Sequence, residues 1–179
     1  MTVTSNKSAR SLFLIGMMGS GKSVTGKKLA GLLRMPFVDL DEQIEKEAGE
    51  TIARIFEGRG EAVFRNIERR VLRGLPETPA CVIAGGGGVV LDPENRKWMK
   101  SRGIVIYLET SLDCLWSRVK DAAVRPLLKS ENPKEKLRMI LEARKPLYKK
   151  TSDHSVVTDL KSAAQVAEEI AELLLGKQP

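Results

Sequence analysis

Aromatic side chains are scarce in this chain: Phe, Tyr and Trp together supply 4% of its 179 residues. None is interleaved with the short basic clusters Arg69-Arg70 and Lys149-Lys150. A surface that stacks bases needs basic and aromatic residues together, so a nucleic-acid partner is not expected. The formal charge of +7 reads instead as attraction for small polyanions. Cysteine is nearly absent too. Cys81 and Cys114 lie far apart, without metal-ligand spacing, which argues against a disulfide framework or a zinc site. Reduced thiols in a cytoplasmic protein are the expectation. The one histidine, His154, is expected at the surface or a strand edge rather than in catalysis. No apolar run approaches the ~20 residues that span a bilayer. Met1 to Ser11 is polar and lacks the apolar stretch of a secretory signal, so no membrane association is expected. Repeats, low-complexity tracts and linkers are also missing. The length suits a single domain over 1–179, expected to be monomeric with no obligate protein partner.

What is present begins at Gly16-Met17-Met18-Gly19-Ser20-Gly21-Lys22-Ser23, a complete G-x-x-x-x-G-K-S phosphate-binding loop. The apolar run Leu12 to Ile15 before it reads as a buried strand. Val24 to Arg34 after it reads as a helix, with Val24, Leu29, Leu32 and Leu33 expected on its packed side. In that setting backbone N–H groups turn inward around phosphate oxygens, and the helix start adds partial positive charge. Lys22 would neutralise the β- and γ-phosphates, and Ser23 would hold Mg²⁺. The chain is expected to bind a nucleoside triphosphate.

Short apolar strands then alternate with amphipathic helices. Strands are expected at 36–40, 80–84, 104–108 and 155–158, and helices at 42–48, 61–73, from Asp92-Pro93, at 111–120 and from Asn132-Pro133. Ser162-Ala163-Ala164-Gln165 resembles a capping box before a last helix carrying Val166, Ile170, Leu173 and Leu174. This alternation predicts a five-stranded parallel sheet covered on both faces, an α/β protein of three layers, α/β/α. Residues 121–132 show no period and read as a long loop. Ligands of such sheets bind beyond the carboxyl ends of the strands. One site should therefore gather Gly16 to Ser23, Asp39 to Asp41, Gly85 to Gly88 and the segment after Leu108.

Asp39 and Asp41 form a D-x-D. Two apart on an extended segment, their carboxylates would both face the crevice, one near the metal and one near an acceptor hydroxyl; Asp41 could alternatively cap the next helix. Arg65 and Glu68 share one helix face, where an exposed ion-pair network with Glu61 and Arg69 is the plainer reading. Arg144 continues an apolar stripe, so its guanidinium must find an anion or water; its fork matches a carboxylate. Arg125, beside Pro126 in the long loop, could swing over the transferring phosphate as part of a lid. The four glycines at 85–88 suggest that something approaches the backbone too closely for any side chain.

Taken in order, the phosphate loop, Asp39-Leu40-Asp41, Phe64-Arg65 with Ile67-Glu68, Gly86-Gly87-Gly88, Arg125-Pro126-Leu127-Leu128 and Arg144-Lys145-Pro146-Leu147-Tyr148 resemble the shikimate kinase family over nearly the whole chain. The resemblance implies a P-loop kinase fold with a mobile lid at about 120–133 and a substrate-binding region at about 41–74. It implies transfer of the ATP γ-phosphate to the 3-hydroxyl of shikimate with Mg²⁺, a step on the route to chorismate and the aromatic amino acids. Asp41 would engage the acceptor hydroxyl, Arg65 and Arg144 would clamp the carboxylate, and Gly86, Gly87 and Gly88 would offer backbone N–H groups. Glu68 would hold Arg65 or a substrate hydroxyl. ATP would be held by Gly19, Ser20, Gly21, Lys22, Ser23 and Val24, with Arg125 on the phosphates. Arg118 would lie near the adenine, opposite Thr158 to Lys161. Asp39 would reach Mg²⁺ through water, with Ser23 its direct ligand. Gly85 and the run Val119 to Val124 depart from the common pattern. A different small-metabolite kinase, such as a gluconate kinase, and a nucleotide-controlled switch remain as rivals.

Overall fold

The computed structural model describes residues 10–120 and 130–176. Five strands, β1 (Ser11–Ile15), β2 (Phe37–Asp39), β3 (Val82–Ala84), β4 (Gly103–Glu109) and β5 (His154–Val157), form one parallel sheet in the order β2-β3-β1-β4-β5. Their registers run Leu12 beside Val82 and Ile104, and Ile106 beside His154. Parallel strands need crossovers, and these are α1 (Lys22–Leu33), α2 (Leu40–Ala48), α3 (Ile52–Gly74), α4 (Pro93–Arg102), α5 (Leu112–Val119) and α6 (Pro133–Thr151), while α7 (Ala163–Leu174) follows the last strand.

Alternation along each strand divides the core. Phe13, Ile15, Ile83, Val105 and Tyr107 face one layer, with Phe64 and Val71 of α3, Met99 of α4 and Tyr148 of α6. Leu12, Leu14, Val82, Ile106 and Leu108 face the other, with Leu29 of α1 and Val166 and Ile170 of α7. A third cluster, Met17, Met18, Leu115, Val119 and Leu137, lies beneath the phosphate loop and joins it to α5 and α6. Both faces of the sheet are covered, as expected of near-continuous apolar strands.

Helix starts follow their capping signals. Thr51, Asp92, Ser111 and Asn132 each accept a backbone N–H at the head of a helix, and the Ser162–Gln165 capping box is complete. Two expectations fail. Val24 and Leu32 of α1 are more than half exposed, and the inward face is Thr25, Gly26, Leu29 and Ala30. Small residues stand there because α1 presses closely on the sheet. A Cβ on Gly26 would lie 2.6 Å from the Phe37 ring and 3.3 Å from Leu14. The second is a helical stretch beginning at Ile52, ahead of the expected start at 61. It is capped by Thr51, while Glu45 accepts the Ile52 N–H. Gly60, at φ 82°, kinks α3 between this stretch and the longer one. Helix α6 runs through Pro146, so Arg144 and Tyr148 lie one turn apart on the same buried face.

Gly26→Ala tests the closeness of α1. Helix propensity favours alanine by up to about 1 kcal/mol, whereas overpacking costs about 1–3 kcal/mol. The contact with Phe37 should win, and urea unfolding should show a net loss of stability.

Candidate active site

The phosphate loop follows β1 directly, with positive φ at Gly16, Gly19 and Gly21. Among the described α-helices α1 alone has no side-chain cap, and no acidic residue stands in its first turn. Its N-cap is Gly21, so the N–H groups at the head of this helix are not taken by a capping side chain. That end suits an anion. Lys22 Nζ folds back to donate to the carbonyls of Gly16 and Met17 at 2.9 and 3.0 Å, holding its charge over the loop. The Ser20 hydroxyl is buried without a hydrogen-bond partner among the described residues, and Ser23 and Val24 face solvent in the first turn of α1.

At the end of β2 the D-x-D is not one extended segment. Asp39 ends the strand and Leu40 begins α2, so Asp41 stands in the first helical turn. Asp39, not Asp41, is the cap: its Oδ1 accepts the Asp41 N–H at 3.0 Å. Asp41 is thereby left exposed beside the glycine run. The two carboxylates differ in setting because the helix starts between them.

The glycine run itself is needed for space. None of Gly85 to Gly88 has a positive φ. A Cβ on Gly86 would lie 2.9 Å from both Asp41 Oδ1 and Glu68 Oε1, and one on Gly88 would fall on the Arg65 guanidinium. One on Gly87 would meet the Met18 backbone nitrogen at 3.4 Å. The absence of side chains lets α2, α3 and the phosphate loop converge on one strip of backbone.

Arg65 reaches that strip held by two carboxylates of its own helix. Nη1 donates to Glu68 Oε2 at 2.8 Å, and Nη2 donates to Glu61 Oε1 at 2.9 Å. The ion-pair reading is therefore right for Arg65, but Arg69 turns away to Asp92 at the head of α4. Glu68 is not a surface residue: it is 1% exposed. Burial pushes its carboxyl above the ordinary range, and Arg65 pulls it back. Glu68 Oε1 has no hydrogen-bond partner among the described residues. A buried carboxylate oxygen without a donor, beside Asp41 and a glycine, favours a ligand that brings a hydroxyl.

Arg144 enters from α6, 7% exposed, and Nη1 donates to the Gly87 carbonyl at 3.2 Å. Arg65 and Arg144 thus meet the glycine run from opposite helices. On the other flank of the phosphate loop, Arg118 of α5 bridges the carbonyls of Gly19 and Thr158 at 3.2 and 3.4 Å. Next to it Leu160 is fully exposed at φ 59°, an uncommon conformation for a residue with a side chain. Arg125 and the Pro126-Leu127-Leu128 that follows it, and with them most of the expected lid, lie outside the described residues. His154 is exposed on the edge strand β5, Cys81 is buried and Cys114 is only partly so. No described helix is long and apolar enough to cross a membrane.

A family model described as shikimate kinase matches residues 18–175. The chain belongs to the shikimate kinase family. It is 46% identical over 165 residues to the shikimate kinase of Actinobacillus pleuropneumoniae, a match covering 92% of this chain and 95% of the relative. It is 43% identical to that of Vibrio cholerae, with the same shares covered. Its structure is similar to shikimate kinase from Acinetobacter baumannii in complex with shikimate, with a TM-score of 0.91 at 40% identity over 96% of each chain. That from Aquifex aeolicus gives 0.81 at 38%, over 93% of this chain and 96% of the other. The three-layer α/β/α architecture is thus the P-loop kinase fold of that family.

Gly88→Ala should separate the two halves of the site. The added methyl would displace the Arg65 guanidinium while leaving α1 untouched. We expect nucleotide affinity, read with a fluorescent ATP analogue, within about twofold of wild type, and turnover down by at least ~10-fold. Equal losses in both would place the damage in the fold at large.

Proposed function

We propose that the chain is a shikimate kinase, transferring the γ-phosphate of ATP to the 3-hydroxyl of shikimate. The observation that carries this is the convergence on Gly85 to Gly88. There the phosphate loop touches the same backbone strip as two arginines, a buried glutamate short of a donor and an exposed aspartate. An anion-binding helix end beside a carboxylate clamp and hydroxyl acceptors suits a phosphoryl donor and a hydroxy acid.

Each residue then has a task. The backbone of Gly19 to Val24 and Lys22 would cradle the β- and γ-phosphates, and Arg118, bordered by Thr158 to Lys161, would flank the adenine. Arg65 and Arg144 would take the shikimate carboxylate between them. Glu68 Oε1 and the N–H groups of Gly86 to Gly88 would receive ring substituents. Asp41 would accept the proton of the attacking hydroxyl as its oxygen bonds to the γ-phosphorus and the bond to the ADP oxygen breaks. Arg125 would add positive charge over the transferring group. The donors near the phosphates are hard oxygens, which fits Mg²⁺. Ser23 would hold it directly, and Asp39 through water by the oxygen not given to the Asp41 N–H. When bound, Mg²⁺ neutralises charge on the phosphate oxygens.

ADP release across a panel of hydroxy acids, including shikimate and gluconate, tests the assignment; turnover of gluconate but not shikimate would replace the acceptor. Arg144→Ala should raise the KM for shikimate at least ~10-fold with little change for ATP. A shikimate analogue whose carboxylate is reduced to an alcohol should be nearly as poor for wild type as shikimate is for the variant. If the two losses simply add, Arg144 does not read the carboxylate.

Asp41→Asn should keep ATP affinity and lose most of kcat, by roughly 10²- to 10⁴-fold, the usual worth of general-base assistance. ATP affinity falling in step with rate would instead assign Asp41 to the metal.

A further inference from the structure

The Gly87 carbonyl accepts two hydrogen bonds, one from Arg144 Nη1 and one, very short, from the hydroxyl of Tyr148. A carbonyl oxygen has two lone pairs, so both are taken. Tyr148 lies one turn beyond Arg144 on α6, is wholly buried, and stacks on Tyr107 of β4 with ring centroids 5.1 Å apart and planes 19° from parallel. Its hydroxyl also lies 3.9 Å from Met17 Sδ in the phosphate loop. The ring is thus held by the sheet while its one polar atom stands where the loop and the glycine run meet.

From this geometry we infer that Tyr148 is a positioning residue for the acceptor pocket, fixing the Gly87–Gly88 peptide together with Arg144. The inference rests on the proposed acceptor chemistry. In a planar trans peptide, the C=O of Gly87 and the N–H of Gly88 point to opposite sides. Tying the carbonyl toward α6 therefore turns the Gly88 N–H away from α6. It also removes a lone pair that would repel an anionic acceptor. Glycines have the widest backbone freedom, so a run of four needs an outside restraint to hold one orientation. Without the Tyr148 hydroxyl, Arg144 alone would hold the carbonyl, leaving the peptide one restraint fewer. Burial pushes the Tyr148 hydroxyl up to about 12, which keeps it a proton donor at any working pH.

Tyr148→Phe removes the hydroxyl and keeps the stacked ring. We expect the KM for shikimate to rise roughly five- to tenfold, with kcat and the KM for ATP within about twofold. Ile170→Val, in the core on the opposite face of the sheet, controls for general softening and should leave both KM values unchanged at a comparable loss of thermal stability. Amide exchange at Gly87 and Gly88, followed by NMR in the protein without substrates, should quicken in Tyr148→Phe and not in Ile170→Val. A shikimate KM within twofold of wild type, an equal rise for ATP, or the same shift in Ile170→Val would overturn the inference. Should the wild type not phosphorylate shikimate, the acceptor reading fails, and the exchange rates still decide whether Tyr148 fixes the peptide; unchanged rates would refute it.

Discussion

Everything at this site depends on four residues having no side chains. Gly85 to Gly88 leave β3 at the carboxyl edge of the sheet, and four elements use the vacated space: the phosphate loop, α2, α3 and α6. A Cβ at Gly86 would crowd Asp41 and Glu68, and one at Gly88 would displace Arg65. The requirement is steric, since none of the four has a positive φ. Such a strip gives precise approach but no stiffness of its own. Its stiffness comes from hydrogen bonds along its length: Gly85 N–H to the Leu14 carbonyl of β1, the N–H groups of Val89 and Leu91 to the Gly86 and Gly88 carbonyls, and Arg144 with Tyr148 on the Gly87 carbonyl.

The second constraint is at the head of α1. Elsewhere a serine, threonine, asparagine or aspartate satisfies the first turn of each described α-helix, but here Gly21 cannot. A glycine N-cap leaves a helix start less stable by about a few tenths of a kcal/mol than a capping side chain does. The anchorage of the loop by Met17 and Met18, packed against Leu115, Val119 and Leu137, compensates from below. Stability is given up where an anion is to bind and recovered where the loop meets the core.

Much of this was legible in the sequence, and the exceptions have physical reasons. The five strands stood out because both faces of the sheet are covered, which leaves nearly unbroken apolar runs. Arg144 stood out because it interrupts an apolar stripe. Glu68 is picked out by the family resemblance but not by its pattern, since an acidic residue three positions from an arginine usually lies on a solvated face, whereas here it is buried close to Gly86. Val24 and Leu32 misled because apolar identity was taken for inward packing, whereas the tight seat of α1 on Phe37 and Leu14 selects Gly26 and Ala30 instead. The helical turns from Ile52 were hidden by Gly58 and Gly60, which break the period although Thr51 caps the start. The D-x-D misled by two residues, because α2 begins at Leu40 rather than Glu42 and makes Asp39, not Asp41, the cap.

The burial of charge completes the picture. Glu68 and Arg144 are both buried, and Arg65 is largely so. Arg65 has carboxylate partners in Glu61 and Glu68, whereas Arg144 donates to the Gly87 carbonyl, with Asp41 and Glu68 close by the same glycines. Buried charges of this kind stabilise a fold poorly, because desolvation offsets most of the attraction between partners. An anionic ligand would give Arg144 a charged partner in place of a carbonyl. A hydroxyl on that ligand would satisfy Glu68 Oε1.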